Sequence, residues 1–91
     1  MADSEYTLIL FISGMSVKCS HAIENLQKIC EEYPQKNMKF EIVDISKDKS
    51  KAGEYQIFAV PTLLKLSPAP TRTVLGDLSD TAKVLKILDL A

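Results

Sequence analysis

The chain has 91 residues, 46% hydrophobic and 25% charged, a composition typical of one small globular domain. Its 11 basic and 12 acidic side chains nearly cancel, so it has no basic field of the kind that binds nucleic acid. The uncharged run at 6–17 contains Gly14 and is too short to cross a bilayer. Residues 1–5 lack the basic region of a secretory signal. We therefore expect one cytoplasmic domain over 1–91, with a disordered segment at 1–5 and no membrane partner.

The first half of the chain alternates between strand and helix patterns. Residues 6–12 (YTLILFI) form an apolar run that is typical of a strand buried on both faces. Apolar residues then recur at helical spacing as far as Tyr33, with Ser16 as the expected N-cap and Pro34 as the stop. Alternating apolar residues over 38–45 predict a second strand. Strand, helix and strand together predict a right-handed βαβ unit.

The middle of the chain predicts a charged connection and a third strand. Residues 46–56 are highly charged, which favours a solvated loop or a short helix with Gly53 as its stop. Pro61 follows an apolar run and has no amide hydrogen to donate to a sheet. We therefore expect Pro61 to open a strand over 62–66 rather than to interrupt one.

The last part of the chain predicts an edge strand and a C-terminal helix. The proline-containing stretch at 67–70 indicates a stiff turn, and an edge strand is expected over 71–75. Ser79 is expected to cap the last helix. The expected apolar stripe of that helix comprises Ala82, Leu85 and Leu88, with Val84 and Ile87 beside them.

The predicted order, β-α-β-α-β-β-α, matches the thioredoxin-like plan, an α/β fold with a mixed sheet and flanking helices. The segment Val60-Pro61-Thr62 sits where that fold places its cis-proline. A thioredoxin-type enzyme needs two thiols at a helix N-terminus. This chain has Ser16 and Cys19 there, and a serine is too weak an acid to replace the attacking thiolate.

The remaining reactive side chains indicate no enzyme, cofactor or metal site. Cys19 is predicted to be a small apolar residue on the inner face of the helix, with a lone reactive thiol as the alternative. Cys30 lies about three turns further along, so we expect no disulfide between them. His21 is expected at the surface. Two cysteines and one histidine cannot complete a tetrahedral zinc site of cysteine and histidine alone.

Three segments resemble the KaiB family of circadian clock proteins: LILFISG at 8–14, FEIVDI at 40–45 and the long stretch at 59–90. The resemblance implies a non-enzymatic regulatory protein that docks on the hexameric ATPase KaiC and changes which partners sit on it. Further implied partners are a KaiA-like protein and a histidine kinase. Members of the family are metamorphic, with a ground-state tetramer of order β-α-β-β-α-α-β and a thioredoxin-like monomer that binds KaiC. The resemblance therefore also implies a homo-oligomer, a dimer or tetramer, in the ground state.

Carried over position by position, the resemblance assigns roles to individual residues. Lys65 and Arg72 match basic positions that the family uses at the partner surface. Asp89 matches an acidic position that influences the balance between the two folds. The prolines that would add slow isomerisation steps to such a switch are Pro61, Pro68 and Pro70.

The chain also departs from the cyanobacterial pattern. His21, Glu41 and Gln56 stand where those members carry basic residues, so positive charge at the presumed docking face is reduced. Ile87 stands where they carry a glycine. A role in stress adaptation fits as well as one in a clock. Two alternatives stay open: a redox protein that uses Cys19, and a thioredoxin-like adaptor without a clock role.

Overall fold

The computed structural model describes residues 6–14 and 16–90, so the segment predicted to be disordered at 1–5 lies outside the described residues. The elements follow the thioredoxin-like order that the sequence predicts, with a short 3-10 turn at Pro34–Lys36. They are β1 (Tyr6–Ile12), α1 (Val17–Glu32), β2 (Met38–Asp44), α2 (Ser50–Glu54), β3 (Thr62–Ser67), β4 (Arg72–Leu75) and α3 (Thr81–Ile87).

The four strands form one mixed sheet in the order β2-β1-β3-β4. β1 runs parallel to β2, to which α1 connects it, and antiparallel to β3. β3 in turn pairs antiparallel with β4. The apolar run at 6–12 is thereby explained, because β1 has a strand on each side and is covered on each face. The prediction of a strand buried on both faces is confirmed.

Alternate residues of β1 enter two separate hydrophobic layers. Leu8 and Leu10 pack with the inner faces of α1 and α3, whereas Ile9 and Phe11 pack on the side of α2. A fully buried side chain of this size contributes about 1.5–3 kcal/mol. β1 therefore supplies the contacts that hold the layers together. α2 is only 5 residues long and supplies one buried residue, Ala52, so it covers its face only in part.

The ends of α2 and α3 differ from the sequence prediction. Gly53 lies inside α2, and the helix ends where Gln56 adopts a left-handed φ of 57° while the amide of Ile57 donates to the Ala52 carbonyl at 2.8 Å. This hydrogen-bond pattern is a Schellman motif, which satisfies the last carbonyls of a helix. Gly53 is therefore not the stop, because the left-handed position falls three residues later.

The cap and the stripe predicted for α3 were also wrong in part. Asp80 is the N-cap, with its Oδ1 accepting from the amide of Lys83 at 3.2 Å, whereas the amide of Ser79 donates to Asp77 in the preceding turn. Val84 and Leu88 form the buried face of α3, and Ala82 is exposed. Residues four apart share a helix face. The two larger side chains at that spacing therefore take the core.

Candidate docking surface and a buried lysine

The N-terminus of α1 carries a serine where thiol chemistry would need a cysteine. Ser16 Oγ accepts a hydrogen bond from the amide of Cys19 at 3.1 Å, so this hydroxyl serves as the predicted N-cap. Cys19 is 2% exposed and packs in the core, which confirms its predicted place on the inner face of the helix. His21 is exposed, as predicted. This end of α1 therefore offers no accessible sulfur from Cys19.

Four chain segments converge at the carboxyl end of β1. The strand register pairs Ile12 with Asp44, Phe11 with Thr62, and Thr62 with Leu75. The turn after β1, the start of α1, the connection before β3 and the end of β4 consequently lie at one end of the sheet.

Asp44 fixes the turn at this end of the sheet. Its Oδ1 accepts hydrogen bonds from the amide of Gly14 at 3.1 Å, the amide of Ser46 at 3.0 Å and the Ser46 hydroxyl at 2.6 Å. The Ser46 hydroxyl first, then the two amides, lower the pKa of the Asp44 carboxyl. Gly14 has a φ of 65°, which a side chain at this position would disfavour. The carboxylate thus ties β2 to the loop that precedes α1.

Three large apolar side chains are exposed at the same end of the sheet. Phe58 is 93% exposed, Val17 73% and Leu75 70%. An open groove of about 220 Å³ runs between the connection before β3 and strand β4, lined by Gln56, Ile57, Phe58, Ala59, Thr62, Thr73 and Leu75. We call this groove, with the exposed Phe58 ring and Leu75 methyl groups on it, the Phe58 surface.

The two basic residues predicted to contact a partner have different environments. They are register partners on neighbouring strands, with Arg72 exposed on β4 and Lys65 0% exposed on β3. In this conformation only Arg72 presents its charge at the surface. Their role in partner binding stays a prediction, and a contact through Lys65 requires its side chain to leave the interior.

Lys65 lies beneath the C-terminal end of α3. Its Nζ is 3.7 Å from Asp89 Oδ2 and 5.9 Å from the centroid of the Tyr6 ring. The Tyr6 hydroxyl donates a hydrogen bond of 2.8 Å to the carbonyl of Leu88. Burial, and secondarily the negative charge of Asp89, raise the pKa of Tyr6 above its usual value. Tyr6 therefore lies against the buried lysine through its ring and binds the end of α3 through its hydroxyl.

The remaining predicted residues lie around the last two strands. The peptide bonds before Pro61, Pro68 and Pro70 are all cis, and the first of these confirms the cis-proline expected at the start of β3. The Pro61 carbonyl accepts from the amide of Gly76 at 2.9 Å. Asp89 has a left-handed φ of 61° directly after α3.

Sequence reasoning did not find the Phe58 surface. Phe58 stands in an apolar run before Pro61, and nothing in that pattern distinguishes an exposed ring from a buried one. Within the described residues, no group of three or more His, Cys, Asp or Glu side chains could hold a metal ion. In the same part of the chain, each helix is too short or too polar to cross a membrane.

The architecture is that of a thioredoxin-like domain. It is similar to the N-terminal domain of SasA from Synechococcus elongatus, with a TM-score of 0.79 and 16% identity over 100% of this chain and 90% of that one. It is also similar to the germline-specific thioredoxin Deadhead of Drosophila melanogaster, with a TM-score of 0.76 and 14% identity over 98% of this chain and 84% of that one. At these identities the likeness defines the fold.

Sequence comparison defines the family. Residues 9–90 match the family model of the KaiB domain. The circadian clock protein KaiB3 of Synechocystis sp. is 40% identical over 90 residues, which cover 99% of this chain and 88% of that protein. The circadian clock oscillator protein KaiB of Microcystis aeruginosa is 40% identical over 85 residues, 93% of this chain and 82% of that one. The chain belongs to the KaiB family of circadian clock proteins.

Proposed function

We propose that this chain docks on a KaiC-type hexameric ATPase and modulates its phosphorylation state or its recruitment of partners, without catalysing a reaction of its own. The observation that carries the proposal is the Phe58 surface, an exposed apolar groove on a KaiB-family domain whose helix N-terminus has a serine cap and a buried thiol. The fold keeps the site where thioredoxin-type chemistry would occur. The side chains there are suited to binding.

The exposure of Phe58 supports docking through this surface. An aromatic side chain that is 93% exposed contributes little to the stability of the isolated domain. Aromatic residues are enriched in the desolvated cores of protein–protein interfaces, where a few side chains carry most of the binding free energy. Leu75, on β4, lines the same groove and extends the apolar area. We therefore assign Phe58 as the central contact and Leu75 as its neighbour.

Arg72 supplies the charge that the family resemblance assigns to the partner surface. It is exposed on the same strand as Leu75 but three residues away, so the two side chains point to opposite faces of the sheet and Arg72 lies outside the groove itself. An exposed charge at the rim of an interface acts chiefly on the association rate and on its salt dependence. We expect Arg72→Ala to slow association at low salt, with a smaller effect at high salt.

The direct test is binding to the KaiC-type ATPase encoded in the same genome, with ATP and with ADP. Incubation must extend over hours, because a sparsely populated competent state lowers apparent affinity and slows association. Phe58→Ser should weaken binding by about tenfold or more, equivalent to about 1.4 kcal/mol or more. The matched control is Ile42→Ser, which also removes a partly exposed apolar side chain, but from β2.

The outcomes distinguish a wrong partner from a wrong docking surface. If the wild-type chain does not bind in either nucleotide state, the proposed partner is wrong. If Phe58→Ser binds like the wild type while Ile42→Ser loses binding, the partner is right and the Phe58 surface is not where it docks.

We also propose the further partners and the assembly that the family resemblance implies. These are a KaiA-like protein, a histidine kinase and a homo-oligomer, either dimer or tetramer, in the ground state. Light scattering coupled to size-exclusion chromatography over a range of protein concentrations tests the assembly. Because mass action favours oligomers, the apparent mass should rise with concentration. A monomer at every concentration would exclude a stable oligomer.

A further inference from the structure

The charge of the buried Lys65 side chain is only partly compensated by its surroundings. The side chain is 0% exposed, and its Nζ is a buried polar atom without a hydrogen-bond partner in the described part of the chain. An ammonium group carries three donors. A buried charge is costly unless it is both paired and hydrogen-bonded. The folded state around Lys65 meets these requirements only in part.

Two neighbours offset some of this cost. The Tyr6 ring lies 5.9 Å from Nζ, within reach of a cation–π interaction. Asp89 lies 3.7 Å away, but its side chain is 65% exposed, so water and salt screen its carboxylate. On the other side, the register partner of Lys65 is Arg72, and like charges on directly opposite residues destabilise a strand pair.

The cover over Lys65 is the end of a very short helix. α3 has 7 residues, and a helix of that length is not stable in water without tertiary contacts. Its end is held by burial of Leu88, by the bond from the Tyr6 hydroxyl and by the final turn, in which the amide of Leu90 donates to the Leu85 carbonyl at 2.8 Å. Release of this turn would give the ammonium group access to water.

We propose that the buried Lys65 ammonium makes the segment 85–90 a separately opening unit. When the segment detaches from the face of the sheet, hydration of Lys65 offsets part of the free energy lost by exposing Leu88. The segment therefore opens while β1 and β3 remain paired, a local unfolding reaction of the kind that hydrogen exchange detects. This inference goes beyond docking on an ATPase and holds whether or not that partner is right.

Native-state hydrogen exchange on the full chain tests the proposal. The reporter amides are those of Leu88, bonded to the Val84 carbonyl at 2.9 Å, and Leu90. The reference amides are those of Leu10 and Leu63, register partners at the centre of the sheet. In the wild type, the reporters should exchange roughly tenfold or more faster than the references. Equal rates would overturn the proposal, because they would mean that the segment opens only on global unfolding.

Lys65→Met tests the role of the charge. Methionine is unbranched and uncharged and is one heavy atom shorter than lysine, so it fills most of the same space. The proposal expects exchange at the reporter amides to slow by roughly tenfold or more in this variant. A change of less than about twofold, or faster exchange, would mean that the ammonium group does not drive opening.

Asp89→Asn provides a second, independent variant. Asparagine tolerates the left-handed conformation at this position, so the helix end is retained while the partner charge is lost. At low ionic strength, reporter exchange should become roughly threefold or more faster than in the wild type, and the difference should shrink at about 1 M salt. Unchanged exchange at low salt would contradict a role for the ion pair.

Acylation of lysine amines in the wild-type chain measures the same opening directly. Lys65 should react more slowly than the exposed Lys83, by a factor that matches the open fraction given by the Leu88 amide. Equal acylation of the two lysines would show that Lys65 is not buried in solution and would overturn the proposal.

Discussion

The Tyr6 hydroxyl donates a hydrogen bond to the Leu88 carbonyl at 2.8 Å and so joins residues 82 positions apart in the sequence. Tyr6 is the first residue of β1, and Leu88 is the C-cap of α3. The ring of the same tyrosine lies beside the buried Nζ of Lys65. One aromatic side chain therefore contacts both the buried charge and the helix end that covers it.

Tyr6→Phe removes this hydrogen bond and keeps the ring. The buried Leu88 carbonyl loses its side-chain donor, so the free energy of unfolding should fall by about 1–2 kcal/mol. Urea denaturation followed by circular dichroism measures the loss. The matched control is Tyr33→Phe, a half-buried tyrosine at the C-cap of α1. An equal loss in both variants would mean that the bond to Leu88 stabilises the fold no more than the hydroxyl of a half-buried tyrosine does.

Stability should fall at alkaline pH because of Tyr6. Burial and the Asp89 charge raise its folded pKa above the ordinary 10.0. A raised folded pKa gives a stabilisation that is complete below the unfolded pKa and is lost as the pH rises through the folded one. The free energy of unfolding should therefore decrease above about pH 10. Tyr6→Phe should show a smaller decrease, although the raised pKa of Cys30 gives both proteins a similar loss. Identical pH profiles would contradict this assignment.

Asp80 and Ser79 should contribute unequally to the start of α3. Asp80→Ala removes the carboxylate that accepts from the amide of Lys83 and should lower stability by about 1 kcal/mol. Ser79→Ala should cost less, because Ser79 lies in the preceding turn and not at the cap. Thermal denaturation of both variants measures the difference. A larger loss for Ser79→Ala would place the cap one residue earlier, where the sequence predicted it.

Local signals were strong enough to predict the first half of the fold. The run at 6–12 lacks a polar face, so it fits only a strand covered on both sides. α1 has an N-cap at Ser16, a stop at Pro34 and a regular apolar face between them. Each of these features acts within one or two turns of chain, which is why the sequence alone suffices.

The two features on which our proposals rest run against residue preference. Lysines are usually exposed and phenylalanines usually buried, yet Lys65 is buried and Phe58 exposed. Both outcomes depend on which segments reach each face of the sheet. The end of α3 covers Lys65 from more than 20 positions away in the chain. α2, in contrast, ends at Glu54, and Phe58 is left exposed. Short-range periodicity contains no information about such distant coverage.

Asp44 should contribute to stability at neutral pH and lose that contribution in acid. Hydrogen bonds from Ser46 and Gly14 lower its folded pKa below 3.8. The stabilisation is therefore present above the unfolded pKa and disappears as the pH falls through the folded one. Asp44→Ala should be less stable than the wild type at neutral pH, and the two should converge toward about pH 2. Denaturation across this range measures both curves. A constant difference at every pH would exclude titration of Asp44 as the cause.

Alkylation of the native chain should distinguish the two cysteines. Cys19 is 2% exposed, whereas Cys30 is half-buried, and burial first, then the charge of Glu31, raises the pKa of the Cys30 thiol above 9.0. The raised pKa of Cys30 leaves less of the reactive thiolate at neutral pH, and burial keeps the reagent away from Cys19, so both thiols should react more slowly than free cysteine. Iodoacetamide labelling read by peptide mass spectrometry should modify Cys30 before Cys19, and in denaturant the two should react alike. Faster labelling of Cys19, or insulin reduction that Cys19→Ser abolishes, would instead place a working thiol at the start of α1 and favour a redox protein over a docking one.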